Sequence, residues 1–388
     1  MEKSIKHICF VAEGYPTKNE PVYTFVKQLI SSIADMGIKC TVIVPQSIST
    51  SILKGKEERP TFWVDKSKKG AEIEVHQPKY ISLSSLKIFN SSVSKYFWNK
   101  AVNKAFNIIK ERPDVLYGHF WHSAIELSRI SKDFNIPLFI ASGESKIKVR
   151  ELFNKPTIDN FLTEVNGVIC VSSKNFIESF ELGLSDKENM MVIPNAIDDE
   201  LFFKEEKTIV RDKLGIQEHD FVVAFTGSFT HRKGVLRLSE AVNKLENVKA
   251  IYIGAGDQEP TGDNILFSGK VHHDQIVHYL NAADIFVLPT LAEGCSNAII
   301  EAMACGLPIV SSNLKFNDDI LNCTNSIRVD SYNVNEISNA IIALKENPER
   351  LEMMSKSSLE IANSLNIKVR AKRIIEYMEN QMVKNSVI

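Results

Sequence analysis

The chain has 388 residues, of which 44% are hydrophobic and 24% charged, with a formal net charge of -2. That length suits two domains, and that balance excludes a disordered chain and a strongly basic nucleic-acid binder. No window approaches the ~18 apolar residues a transmembrane helix needs, and the opening MEKSIKHICFVAEGYP has too short an apolar run for a signal peptide. Six cysteines without metal-ligand spacing or C-x-x-C fit a reducing cytosol.

In chain order, residues 5–12 read as a buried strand ending at Glu13-Gly14, then a loop with Pro16 and Pro21, then a helix through Phe25, Leu29, Ile30 and Ile33. Gly37 stops that helix and Lys39 to Val44 forms a second strand. This doubly wound beginning lacks G-x-G-x-x-G, so it carries no dinucleotide fingerprint. Residues 50–80, with the basic run Lys66 to Lys69, read as an irregular surface excursion. Leu86 to Arg112 is a helical segment mixing aromatics (Tyr96, Phe97, Trp98) with lysines. That is a core stripe with snorkelling lysines or a membrane-surface face. The strand Asp114 to Gly118 delivers His119-Phe120-Trp121-His122 to its carboxyl end. A helix over Ser123 to Asp133 follows, then strands at Pro137 to Ala141 and Gly167 to Val171, and Val192-Ile193 closes the series.

Pro194-Asn195-Ala196-Ile197-Asp198 punctuates the chain, and a second alternating series begins. Phe221 to Thr226 is a strand running into Gly227-Ser228 and a loop with Arg232-Lys233. Lys249 to Ile253 ends in Gly254-Ala255-Gly256, and Ile265 to Ser268 leads to Gly269-Lys270-Val271. A helix over Asp274 to Ala282 leads into LAEGCSNAIIEAMACGLPIVS at 291–311, between strands at Ile285 to Leu288 and Ile309-Val310. Its helix start, Ser296-Asn297, offers unpaired N–H groups to an anion. Glu293 and Glu301 taken alone are equally a cap and a solvated side chain. Helices at 333–346, 348–363 and from Ile367 to Met382 complete the chain. The first 192 residues carry 26 basic and 21 acidic side chains, the remainder 20 and 27, so an anionic surface would meet the first half.

GSFTHRKG at 227–234, YIGAG at 252–256, Asp284-x4-Pro289 and EGCSNAIIEAMACGLPIV at 293–310 resemble the donor domain of retaining glycosyltransferase family four, the glycosyl transferases group 1 of the GT-B fold. IPNAID at 193–198 resembles the interdomain linker of that family, and DVLYGHFWHS at 114–123 its histidine-bearing strand. The resemblance implies two Rossmann-like α/β domains facing across a cleft: residues 1–193, with the terminal helix of about 367–388 packing back on them, and residues 194–366 as the nucleotide-sugar domain. It implies that Arg232 and Lys233 neutralise the donor diphosphate. Glu301 would hold the ribose hydroxyls, and Glu293 the sugar near C3 and C4. Gly294, Cys295, Ser296 and Asn297 would offer backbone N–H groups, with Gly227, Ser228, Gly254 and Val271 lining the donor site. His119 would sit by the anomeric centre and Gly14 in the loop over the phosphates. Chemically, this is a hexose or N-acetylhexosamine transfer with retention, from a UDP-sugar co-substrate and without a metal, since no D-x-D is present.

Departures from the family are Asn19-Glu20-Pro21 in place of a Gly-Gly loop, Ala196 for the linker glycine, and Ser142-Gly143-Glu144 for His-Gly-Asp. The expected acceptor is a growing cell-surface glycan on a lipid carrier, met at the cytoplasmic face by a peripherally bound enzyme, with no nucleic-acid partner. The competing readings are a nucleotide-sugar 2-epimerase or a glycogen-synthase-like polymerase of the same fold, and a two-domain ligand-binding module without catalysis.

Overall fold

The computed structural model describes residues 4–17, 23–54, 58–82 and 91–386. Asn19-Glu20-Pro21 and the segment Leu86–Phe89 lie outside the described residues. The chain divides into two compact units, one made of residues 1–170, 175–193 and 371–388, the other of residues 171–174 and 194–370.

The first unit contains β1 (His7–Val11), β2 (Lys39–Ile43), β3 (Gln46–Ser47), β4 (Phe62–Lys66), β5 (Glu72–His76), β6 (Lys79–Tyr80), β7 (Val115–His119), β8 (Leu138–Ser142), β9 (Val165–Cys170) and β10 (Met190–Val192). Eight of these form one sheet in the order β10-β9-β8-β7-β1-β2-β5-β4, while β3 pairs with β6 separately. All neighbours in the large sheet are parallel except β4 and β5. Parallel strands are covered on both faces, so β1, β7 and β8 read as nearly continuous apolar runs. Cys9, Cys40 and Cys170 lie in that core as buried free thiols. The segment 50–80 is more regular than its composition suggests. Glu72–His76 alternates polar and apolar residues, burying Ile73 and Val75 against the sheet. The basic run Lys66 to Lys69 is the turn that reverses β4 into β5, closed by Ser67 N–H···O=C hydrogen bonding to Ala71. The aromatic–lysine helix spans Ser91–Asn107 among the described residues. The helix expected at Ser123 to Asp133 is two short ones, Trp121–Ile125 and Ser128–Phe134.

The second unit contains β11 (Phe221–Thr226), β12 (Val248–Ile253), β13 (Ile265–Gly269), β14 (Ile285–Leu288), β15 (Ile309–Ser312) and β16 (Ser326–Val329). They make one parallel sheet in the order β13-β12-β11-β14-β15-β16. The strand order reverses at β11/β14, and in open α/β sheets the crevice outside the carboxyl ends at such a reversal is where ligands bind. At the opposite, amino edge sits a buried charged anchor. Arg211, on the helix Lys207–Leu214, donates to the carbonyls of Ala282 (2.9 Å), Glu218 (2.8 Å) and Asp220 (3.1 Å) and to Asp284 Oδ2 (2.8 Å). Asp284 also accepts from the Val222 N–H at 2.7 Å and from Lys207 Nζ at 2.7 Å. The anchor fixes where β11 and β14 begin, and so where their carboxyl ends deliver their loops.

The final helix, Ile367–Ser386, buries Ile374, Ile375, Met378 and Met382, while Val369 is exposed. The Tyr377 hydroxyl donates to the Asn189 carbonyl at 2.7 Å and accepts from the Val168 N–H at 3.2 Å. This fastens the helix to β9 and the start of β10.

Candidate nucleotide-sugar site

In the second unit, β11 and β14 lie side by side, so the loops that leave their carboxyl ends meet. The β11 loop carries Arg232 and Lys233, and the β14 loop carries Glu293. One carboxylate oxygen, Glu293 Oε1, accepts from Lys233 Nζ (2.6 Å), Arg232 Nη1 (2.9 Å) and the Thr290 hydroxyl (2.9 Å). The backbone seals the pair of loops, with Leu291 N–H donating to Arg232 C=O at 2.8 Å. Lys233 and Glu293 side chains are only 13% and 12% exposed. Two cations share one anion, leaving the cluster one positive charge in excess at a poorly solvated place. Such a cluster attracts a multiply charged anion.

The β12 loop presses against the β11 loop. Gly227 N–H donates to Ile253 C=O and Phe229 N–H to Ala255 C=O, both at 2.9 Å, continuing the ladder past the strands. Gly254 has φ +153°, and a Cβ there would stand 1.8 Å from the Gly227 carbonyl oxygen. Backbone, not a flexible side chain, blocks it. Gly254→Ala should therefore unfold about 2–4 kcal/mol more easily, combining overpacking with backbone strain; chemical denaturation measures this, and a change below about 0.5 kcal/mol would contradict the close approach.

Helix Asn297–Ala304 continues the β14 loop, with Ser296 as its N-cap. The Ser296 side chain makes no capping bond. Among the described residues, the hydroxyls of Thr226, Thr230 and Ser296 and the Asn297 side-chain oxygen are buried without a hydrogen-bond partner. Buried polar atoms left so are costly; those of Ser296 and Asn297 stand at the amide end of a helix, the place an anion favours. Gly294 and Cys295 are buried beneath the loop, and burial pushes the Cys295 thiol up to about 12, so it is an inert packing group. The Cys295 carbonyl accepts from Asn195 Nδ2 at 3.1 Å. Ser228 is exposed on the loop, and Val271 packs on the core just beyond β13.

Glu301 stands one turn into the helix, with Oε1 3.4 Å from His273 Nε2. Burial alone would lower the His273 pKa, but the hydrogen bond and charge of Glu301, with Asp274 and Asp198, hold it above its ordinary value. Neither His273 nor Thr290 is legible as a site residue in the sequence, because each works through a glutamate brought to it by the fold.

In the first unit, the strand order reverses at β1, between β2 and β7. His119 ends β7, its ring 5.4 Å from that of Phe25 and 4.4 Å from that of Phe120. Gly14 is forced by a neighbour: a Cβ would lie 2.2 Å from the Tyr23 ring. Sequence reading missed the main polar contact here, Glu13 Oε1 to His122 Nε2 at 2.5 Å, with the Tyr23 hydroxyl donating to Glu13 Oε2 at 3.0 Å. Tyr23 (φ 59°) and Phe120 (φ 75°) both occupy backbone regions that side chains avoid. Half-buried Glu144 locks Phe120 in place by accepting from the Trp121 N–H at 2.7 Å. Burial pushes the Glu144 carboxyl above the usual range.

Burial would raise the Glu13 pKa, but His122 and Tyr23 hold it below its usual value; burial would lower that of His122, but Glu13 holds it above 6.5. The raised imidazolium contributes its stability in full below pH 6.5 and loses it as pH rises through the native value. The depressed carboxyl contributes above 4.5 and loses it as pH falls through its lower native value. Glu13→Gln should accordingly flatten the decline in melting temperature as pH rises above 6.5; an unchanged slope would show that the pair does not titrate as described.

A profile of the family described as "Glycosyl transferases group 1" matches residues 206–360, which take in the β11, β12, β13 and β14 loops and helix Asn297–Ala304. The putative teichuronic acid biosynthesis glycosyltransferase TuaC of Bacillus subtilis is 26% identical over 328 residues, 79% of this chain and 81% of that protein. The UDP-Gal:alpha-D-GlcNAc-diphosphoundecaprenol alpha-1,3-galactosyltransferase of Escherichia coli is 29% identical over 210 residues, 49% of this chain and 54% of that one. Among solved structures, Anabaena HepE in complex with UDP-glucose superimposes with a TM-score of 0.70 at 18% identity, covering 96% of this chain and 99% of that one. The matched segment and the two Rossmann-like parallel sheets agree: residues 206–360 are a glycosyl transferases group 1 domain, carried in a chain of the GT-B fold.

Proposed function

We propose that this protein transfers a hexose or N-acetylhexosamine from a UDP-sugar, with retention, to a glycan acceptor built on a lipid carrier for a cell-surface polysaccharide. The observation that carries the reading is the convergence at β11/β14 of Arg232, Lys233, Glu293 and an anion-seeking helix end, with Glu301 one turn away. Arg232, Lys233 and the helix amides take the charge that develops on the departing diphosphate, the place where electrostatic stabilisation acts on the transition state. Glu301 accepts from the ribose diol, for which a carboxylate has enough lone pairs. Glu293 holds the sugar hydroxyls while fixing both cations.

The acceptor hydroxyl attacks the anomeric carbon from the face the diphosphate leaves, and a donor phosphate oxygen takes its proton. No protein nucleophile and no metal enters this scheme. The roles of Gly14 and His119 rest on the family resemblance alone. The Escherichia coli relative, named for a UDP-galactose donor and a diphosphoundecaprenol-linked acceptor, supports a uridine donor and a diphospholipid acceptor. No helix among the described residues is long and apolar enough to cross a membrane; peripheral attachment to anionic lipid, through lysines of the helix Ser91–Asn107, is part of the proposal. Absence of low-salt flotation with anionic liposomes would remove that part.

The deciding experiment presents the full chain with UDP-, GDP- and ADP-sugars and follows slow donor hydrolysis and thermal stabilisation. At 100-fold over Kd, a bound donor stabilises the fold by about 2.7 kcal/mol. A UDP-sugar is expected to do so; failure of every donor to bind refutes the transferase reading.

A further inference from the structure

Glu301 is asked to present its carboxylate to a ribose, yet its side chain has three rotatable bonds. Something must hold it, and the structure shows what does. His273, in the short turn after β13, places Nε2 3.4 Å from Glu301 Oε1. The imidazole is itself held, lying edge-on to the ring of buried Phe202 at 5.3 Å and 76°. Among the described residues, none hydrogen-bonds to Glu301 Oε2. The histidine and glutamate side chains are 24% and 13% exposed, so the pair is poorly screened but open to a ligand.

We propose that His273 is a positioning residue for the nucleotide: it pins one oxygen of Glu301, so that the carboxylate is fixed in the orientation that accepts the vicinal hydroxyls of a ribose. This rests on Glu301 holding the ribose, as proposed above. Each carboxylate oxygen has two acceptor sites, so Oε1 can serve the histidine and a hydroxyl together. An acceptor fixed beforehand loses less entropy on binding than one that must be ordered. The groups facing the imidazole are all acidic: Glu301 from the helix Asn297–Ala304, Asp198 from the segment before Phe202, and Asp274 from its own turn. They favour the imidazolium, whose bond to Glu301 is charge-assisted. As pH rises through the elevated native value the proton leaves and the bond weakens, so nucleotide affinity should fall.

The test is calorimetric titration of the full-length protein with UDP and 2′-deoxy-UDP. GDP and ADP with their 2′-deoxy forms take their place if UDP does not bind. Wild type should prefer the ribonucleotide by about tenfold or more, since a hydrogen bond to a carboxylate is lost with the hydroxyl. His273→Ala should reduce that ratio to roughly twofold. His273→Gln, which keeps a donor but not a titrating one, should restore part of the preference and abolish its pH dependence. Inorganic pyrophosphate should bind all three proteins alike, which separates a loosened ribose end from a damaged fold. A His273→Ala protein that keeps both pyrophosphate binding and the wild-type ratio overturns the positioning role and leaves the transferase reading standing. If none of the nucleotides binds wild type, the reading of the site fails and the inference with it.

Discussion

Lys233→Ala should lower kcat for sugar transfer or donor hydrolysis by about 10²–10³-fold, the scale set by removing one preorganised charge partner of a leaving group. The lysine is nearly buried and 2.6 Å from Glu293, so its charge acts where water screens it little. The substitution also leaves Glu293 with Arg232 and Thr290 alone, and part of any loss could come from a displaced loop. Lys233→Met, which keeps the apolar stem and removes only the charge, separates the two: it should melt near the wild-type temperature and still lose turnover. Lys233→Arg should retain intermediate activity, because its wider guanidinium keeps the charge but not the point contact. Wild-type turnover in Lys233→Ala would eliminate the charge-stabilisation scheme.

The largest stability effect is expected on the opposite side of the same sheet. Arg211→Met should destabilise the second unit by about 3–5 kcal/mol, the cost of leaving a buried charge without its partner. Its side chain is only 4% exposed and satisfies three carbonyls besides Asp284. Methionine fills much of the volume, so the loss reports on the hydrogen bonds rather than on a cavity. Urea unfolding followed by circular dichroism gives the number. A change under 1 kcal/mol would mean that Lys207 and the Val222 N–H satisfy Asp284 unaided and that water reaches the freed carbonyls.

Both alternating series were legible in the sequence because parallel strands buried on two faces leave near-continuous apolar runs, and Phe221 to Thr226 is one of them. The donor-side residues were legible for a related reason: Arg232-Lys233 and Glu293 to Glu301 lie on the segments that leave adjacent strand ends, so sequence motif and sheet order coincide. The segment 50–80 was not, since β4 is mostly exposed and its pattern is weak until β5 supplies three buried positions. Neither was the Glu13–His122 pair, because 109 residues separate its members and only the adjacency of β1 and β7 brings them together. His273 escaped for want of any periodic signal; its importance comes from the atom it touches.

The order in which the chain is made differs from the order in which its units can be finished. The second unit is complete once Arg370 has left the ribosome, whereas the first, begun at the start, still waits for residues 371–388. Until then the Val168 N–H and the Asn189 carbonyl lack the Tyr377 hydroxyl, and the apolar surface that receives Ile374 and Met378 stays bare. Nascent domains generally close from the amino end; here the part begun first closes last. Until that helix emerges, the first unit presents an unfinished apolar face to chaperones.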